Sequence, residues 1–457
     1  MKRSTILAVA AVLSCASIVS GCVPKGADDG PGGSDMNLNH IAEAYVRLVL
    51  AVGRHDPDYV DAYYGPPEWR TESEATTVPL AELRINAGKL LNDLGAGTPS
   101  AGGAPAAAAP VAGGADDYGD PLVRLRHSYL SKQIRAVATR IDMLGGARLD
   151  FDDETRLLYD TVAPVRTEAE FQAAVQRLGA ILPGSGPVQG RLEQFRKAFV
   201  VSPDRLDAVM RAAIAACRER TFRHLTLPAG ESFTIAYVQE KPWSAYNWYK
   251  GNAVSLIEVN TSLPVQIEQA ISLACHEGYP GHHVYNVLLE HHLVRGRGWV
   301  EFTVYPLFSP QSLIAEGSAN YGVELTFPEA DRAAFEKDML FPLAGIDTKD
   351  AATYFEVRRL LKELDYVTNE AARGFLAGRM DAGATTAYLV RNGLRSEERA
   401  RQSLSFIERY RTYVINYNLG QDLVRGYVEH RAGDDVAARW RVLGELLSTP
   451  RLPGDLQ

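Results

Sequence analysis

The chain has 457 residues, 46% hydrophobic and 23% charged, enough apolar material for a substantial core in one large domain or a few ordinary ones. The net charge of −8 excludes nucleic acid as a main partner, because neutralising a phosphate backbone needs a basic surface.

Residues 1–21, MKRSTILAVAAVLSCASIVSG, start with Lys2 and Arg3 and continue in an apolar run from Ile6 to Val19. That is the pattern of a secretory signal, too short and wrongly flanked for a membrane-spanning helix. The run ends Val19-Ser20-Gly21-Cys22, which resembles a lipobox. Cys22 is therefore expected to carry lipid, and the chain to sit in a bacterial cell envelope, anchored to a membrane outside the cytoplasm. An ordinary signal peptide with an incidental cysteine is the plainer alternative. Residues 22–36, rich in Gly, Pro and Asp, read as a flexible tether, leaving 37–457 as the folded domain. A low-complexity stretch at 95–117 interrupts that domain as an excursion with few side chains able to pack.

Periodicity predicts helices over Leu38–Val52, Leu122–Leu144, Glu168–Leu182 and Gln189–Phe199. Another follows Ser202 as N-cap with Pro203 in its first turn. Further helices are expected over Asp350–Ala377 and Leu404–Tyr413. Strand-like sequence is confined to Ser232–Gln239 and Ala253–Asn260; the aromatic segment between them, PWSAYNWYKGN, reads as wall packing, with substrate contact as the second reading. Cys217 and Cys275 could pair in an oxidising compartment, but both fall in helix-like sequence and read as unpaired core residues. The fold class is mainly α with a small sheet. The second strand runs into TSLPVQIEQAISLACHEGYPGHH, where Thr261 or Ser262 can cap a helix, Pro264 suits its first turn, and Ile267, Ala270, Ile271 and Ala274 form an inward face. Strand, short turn and helix is the order used by zincin metalloproteases, in which the strand's free edge pairs with an extended peptide.

The stretch HEGYPGHH places His276, Glu277, His282 and His283 within eight residues. In the zinc signature H-E-x-x-H the histidines lie one helical turn apart and reach one ion. Here Pro280 stands at that offset, and a straight helix would put His283 about 10 Å from His276 along the axis. Pro280 and Gly281 supply a break: one disfavours helix at Tyr279 and the other permits unusual backbone angles. A bulge at Tyr279-Pro280-Gly281 can swing the next histidine back. Placing Gly281-His282 over the Gly-His that ends many such motifs favours His282 over His283 as second metal ligand, the other histidine supporting from behind or donating to substrate. The third ligand is expected from SPQSLIAEGSANYGVELTF, where Ser309 caps, Pro310 starts a helix, Glu316 provides the carboxylate and Asn320, one turn on, could orient it. Five of the ten histidines lie between His276 and His292, with His291 and His292 read as a solvated helix end.

HEGYPGHH, AEGSANYG, YRTYVINYNLGQDLV and HDPDYVDAYYGPPEW together resemble the bacterial family called domain of unknown function 885, over most of Asn37 to Arg431. That family is similar to carboxypeptidase Taq and thimet oligopeptidase. The resemblance implies a zincin-like bowl of helices around a deep channel, with a small sheet beside the metal-binding helix. Ser318 stands where the family pattern carries tryptophan, which changes the wall of the site and not its ligands. Under this reading the chain binds one Zn2+ and hydrolyses short peptides, with Glu277 as general base. Tyr417, then Tyr413, are the candidates for stabilising the oxyanion. Arg411 and Arg425 are candidates for gripping a substrate carboxylate, and Asn260 is a third substrate-binding candidate. Two other readings use the same residues. One is a non-catalytic lipoprotein with a structural or zinc-storage site, and the other a zinc hydrolase of non-peptide amides or esters.

Overall fold

The computed structural model describes residues 33–95, 120–241 and 243–457. The expected signal segment, Cys22, most of the tether and nearly all of the excursion lie outside the described residues. The fold is mainly α: 68% is helical, with one sheet of two strands and one of three. No helix among the described residues is long and apolar enough to cross a membrane.

The predicted helices appear with local signals at their ends. Pro121–Leu144 begins where the Asp120 side chain accepts from the Leu122 amide, and Glu168–Ile181 begins with a capping box between Thr167 and Glu170. Two long predictions break. Asp350–Ala377 is split into Ala351–Lys362 and Val367–Leu376, the chain tightening through i→i+3 bonds at Glu363, Leu364 and Asp365. The Leu404–Tyr413 prediction is the end of a longer helix, Glu397–Tyr410, which stops where Arg411 takes a φ of 54°. A 3₁₀ turn and the Ile415–Ala432 helix follow.

Strand β1 (Val60–Tyr63) pairs antiparallel with β5 (Val304–Pro306). In the larger sheet, β4 (Val254–Asn260) lies between β2 (Ser232–Val238), which it meets in parallel, and β3 (Ala245–Tyr249), which it meets antiparallel. The strand leading toward the motif therefore has no free edge. The outer strands are β2 and β3, and β3, which lines the cavity, is a strand the sequence disguised as aromatic wall. Asn260 N bonds Ser244 O and Lys250 N bonds Val254 O, so the even-numbered residues of β3 spend their backbone groups on β4. Ala245 and Asn247 face the other way, as alternation requires.

The helix after β4 starts later than expected. It spans Ile267–Leu273, with Gln266 as N-cap in place of Thr261 or Ser262, and Pro264 precedes it. Its inward face is as read: Ile267, Ala270, Ile271 and Ala274 are buried. Cys217 and Cys275 are a disulfide, with Cα atoms 5.5 Å apart. The unpaired reading fails because the Pro203–Phe222 helix packs directly against the turn that carries Cys275, and helical residues on facing surfaces can bridge.

The Pro310–Thr326 and Ile415–Ala432 helices cross in backbone contact. A Cβ on Gly317 would lie 2.4 Å from the Gly420 carbonyl, so only glycine allows this approach. The crossing sets Glu316 against Tyr413.

Candidate metal centre

Helix Ile267–Leu273 does not continue regularly into the motif. Residues Ala274–Gly278 form a π-helical turn, the Tyr279–Pro280 bond is cis, and a new helix starts at His282. Gly281 N bonds Cys275 O at 2.9 Å, folding the chain back on itself. A Cβ at Gly281 would fall 1.8 Å from His276 O, so this return requires glycine. The result is a His276–His282 ring separation of 4.6 Å.

Glu316 completes the group: ligand atoms of His276, His282 and Glu316 all lie within 4.8 Å of one another, and together they could hold a metal ion. His276 Nδ1 donates to Asn320 Oδ1 at 2.9 Å, while Asn320 Nδ2 donates to Tyr417 O. That leaves the Nε2 lone pair of His276 aimed at the group. Asn320 thus orients His276, not Glu316 as the sequence suggested; Glu316 is oriented by Tyr413, whose hydroxyl donates to Oε1 at 2.8 Å. Glu316 Oε2 is buried with no well-formed hydrogen bond. Its neighbours are His276 Nε2 at 3.1 Å and His282 Nε2 at 3.6 Å. Ligands of a tetrahedral ion with bonds of about 2.0–2.1 Å stand about 3.3 Å apart, so an orphaned oxygen and two imidazole nitrogens fit a zinc-sized cation.

The electrostatics favour a cation too. Burial lowers the His276 pKa, but the adjacent Glu316 and Glu277 carboxylates outweigh it and lift the value to about 9, so the ring holds a proton that a bound metal would displace. Burial pushes the Glu277 carboxyl up, against the His276 and His282 charges and with that of Glu316. Burial would raise Glu316 as well, but the charge of His282 and the close approach of both imidazoles hold it well below the usual range. Asp61, at the rim of β1, is pushed well above its ordinary value by burial and then by Glu316 and Glu277. Three carboxyl groups thus act on one another across one cavity, and a divalent cation would relieve their repulsion.

His283 points away from this centre. Its Nε2 donates to Glu231 Oε2 at 3.0 Å and its Nδ1 meets Ser255 Oγ at 2.9 Å, all three residues buried. As an alternative ligand it is ruled out by direction; it anchors the kink from behind. Tyr417 lines the cavity, 38% exposed, its phenol pKa pushed up by desolvation within the cavity walls and by Glu316 and Glu277. Tyr413 is buried and engaged with Glu316.

Three predicted substrate contacts lie elsewhere. Arg411 pairs with Glu154 at 2.7 Å, and Arg425 with Glu324 at 2.6 Å and Asp422 at 2.8 Å; neither lines the cavity. Both guanidinium groups are consumed by structural carboxylates. Asn260 Nδ2 donates to the carbonyls of Lys241 and Trp243, closing the loop that leads into β3.

The centre opens on a cavity of about 900 Å³. Its walls include residues the sequence reading missed. Asp61 was inside a quoted motif, HDPDYVDAYYGPPEW, without a role. β3 lines the cavity from Ala245 to Trp248, and the Asn247 side chain donates to Glu277 O at 2.7 Å, fixing the strand beside the π turn. Arg395, Thr368 and Ser403 line the cavity as well. No local pattern marks Asp61 or Arg395.

No family model matches the chain, and no curated protein matches it. Among solved structures it is similar to a candidate lipoprotein from Colwellia psychrerythraea, at 14% identity and a TM-score of 0.49, over 92% of this chain and 74% of that one. It is also similar to a candidate lipoprotein of unknown function from Shewanella oneidensis, at 12% identity and a TM-score of 0.40, over 83% and 75%. A carboxypeptidase from Pyrococcus furiosus matches at 11% identity and a TM-score of 0.38, over 90% and 88%.

Proposed function

We propose that the chain is a lipid-anchored zinc peptidase that hydrolyses short peptides, with Cys22 as the anchored residue. One observation carries the reading: the lone pairs of His276, His282 and Glu316 converge on a common point while Glu277 stands beside it on the same cavity. Three protein ligands and an open side are what a catalytic site needs, whereas a structural zinc site is closed by four. A divalent cation held by His276, His282 and Glu316 would supply Lewis acidity for a carbonyl and for the attacking water.

The protein's own groups do the rest. Glu277 takes the proton of the attacking water as the new C–O bond forms, and returns it to the amine as the C–N bond breaks. The Tyr417 hydroxyl, protonated and facing the cavity, donates to the oxygen on which negative charge develops. Ala245 and Asn247 on the open edge of β3 offer backbone groups to an extended chain, which favours peptides over other amides and esters. A cavity of about 900 Å³ takes a few residues and no folded protein. The motif resemblance to domain of unknown function 885 agrees with this reading.

A storage or structural site has no use for Glu277. The test is metal-loaded wild type against Glu277→Gln on a peptide library read by mass spectrometry. Hydrolysis by wild type should fall roughly 100- to 10,000-fold in the variant at equal metal content. Cleavage of nothing by wild type, or equal cleavage by both, sinks the proposal.

A further inference from the structure

We infer that Glu154, which does not line the cavity, is a positioning residue for the metal centre: it clamps the turn at Arg411 so that the Tyr413 hydroxyl is aimed at Glu316. The inference rests on the metal centre proposed above and adds to it the group that holds one of its ligands in place from outside.

The turn between the Glu397–Tyr410 and Ile415–Ala432 helices is built against the preference of its backbone. Arg411 takes a φ of 54° and a ψ of −118°, a region that a Cβ makes costly and only glycine enters freely. Such a conformation persists where the surroundings over-determine it. Here a single buried carboxylate does so. Glu154 sits on the Phe151–Tyr159 helix and is 1% exposed. Its Oε2 accepts from Arg411 Nε at 2.9 Å and from Nη2 at 2.7 Å, and its Oε1 accepts from the Thr412 hydroxyl at 2.7 Å. Glu154 therefore takes two consecutive side chains of the turn, while the Arg411 N–H is held by Ile407 O.

Tyr413 follows directly, and its hydroxyl donates to Glu316 Oε1 at 2.8 Å. The helix that carries Glu154 ends in Tyr159, whose ring meets the Tyr413 ring edge-on at 6.3 Å. With Oε1 occupied, the oxygen left facing His276 and His282 is Oε2, which has no well-formed hydrogen bond. The terminal torsion of a glutamate is soft, and a ligand that must be ordered at binding holds its metal more weakly. A turn needed only to join two helices could relax or carry glycine. An arginine kept in this conformation, one residue before the tyrosine that fixes Glu316, points to a use for the geometry.

Zinc affinity reads this line of contacts with no need for turnover. The full chain is titrated with Zn2+ against a chelating indicator as wild type, Glu154→Gln, Tyr413→Phe and the double variant. Tyr413→Phe should weaken Zn2+ binding roughly 10- to 100-fold and Glu154→Gln by no more than that. The double variant should bind no more weakly than Tyr413→Phe alone, because both changes cut the same line. Arg411→Ala and Arg411→Gly carry the test to the backbone. Both strip Glu154 of its arginine, so their difference reads the turn alone, and the glycine variant should bind Zn2+ several-fold more tightly than the alanine variant. Circular-dichroism melting reports whether each variant is folded; if Glu154→Gln is not, the two Arg411 variants decide. Wild-type affinity in Glu154→Gln or Tyr413→Phe, losses that multiply in the double variant, or equal affinity of the two Arg411 variants overturns the inference and leaves the metal centre standing. Binding of no Zn2+ by wild type removes the centre and the inference with it.

Discussion

Two clusters of imidazole and carboxylate lie on either side of one kink, and they are built from the same residue types. Behind it, His283, Glu231, Tyr279, Ser255 and Arg218 satisfy each other: Glu231 alone accepts from Tyr279 OH at 2.6 Å, His283 Nε2 at 3.0 Å and Arg218 at 2.8 Å. In front of it, His276, His282 and Glu316 crowd lone pairs together and leave Glu316 Oε2 an orphan. A saturated buried network stabilises a shape; an unsaturated one awaits a ligand. His282 and His283 are adjacent in sequence and of one residue type, so only their place relative to the Pro280–Gly281 break separates these roles.

The sharpest way to break the comparison is to remove the carboxylate from each cluster. Glu316→Ala should empty the metal site after dialysis while the chain stays folded. Glu231→Ala should leave the His283 and Tyr279 donors buried without an acceptor, at a cost of roughly 2–5 kcal/mol, and keep metal stoichiometry in the folded fraction. Circular-dichroism melting and metal analysis read both quantities. Loss of metal from Glu231→Ala at an unchanged melting temperature would erase the distinction.

The kink itself was legible, because proline and glycine act locally on the backbone. Glu316 was legible from a cap-and-proline helix start at a plausible distance. What the sequence could not give depends on remote partners. The Gly-His alignment already favoured His282, which the structure groups with His276 and Glu316; what that alignment could not give is the partner that holds His283, Glu231, 52 residues away. Arg411 looked free until Glu154, 257 residues away, claimed it. Asn320 was placed correctly on the Glu316 face and assigned the wrong partner, since its distance from His276 is a property of helix packing. β3 went unseen because its aromatic alternation is equally that of a wall; only pairing with β4 makes it a strand and gives it an edge. The disulfide was missed for the same reason: helical periodicity says nothing about which helices face each other.

That disulfide belongs with the saturated side of the kink and offers a second test. It closes a sequence separation of 58 residues, for which chain entropy gives a stabilisation of roughly 4 kcal/mol. Cys217→Ser with Cys275→Ser should lower the melting temperature by several degrees and leave metal stoichiometry intact in the folded protein. Because Cys275 directly precedes His276, the opposite result, metal lost with stability unchanged, would mean that the bridge positions a ligand and does not staple the fold.

The smallest expected effect probes the far wall of the cavity. Asp365 is exposed to the cavity; desolvation by the surrounding walls pushes its pKa up to about 7, Lys362 and Arg395 favouring its charged form and Asp422 and Glu324 opposing it. The folded state therefore holds a proton that the unfolded chain has released between about pH 4 and about pH 7, and stability must fall as pH rises across that window. Asp365→Asn removes this slope. The variant should melt no higher than wild type at pH 4 and higher at pH 8. Because Asp365 opens to the water of the cavity, the gain is expected to be modest. An identical pH dependence in both proteins would mean that cavity water solvates this carboxylate fully, and the far wall would then be as well hydrated as the outer surface.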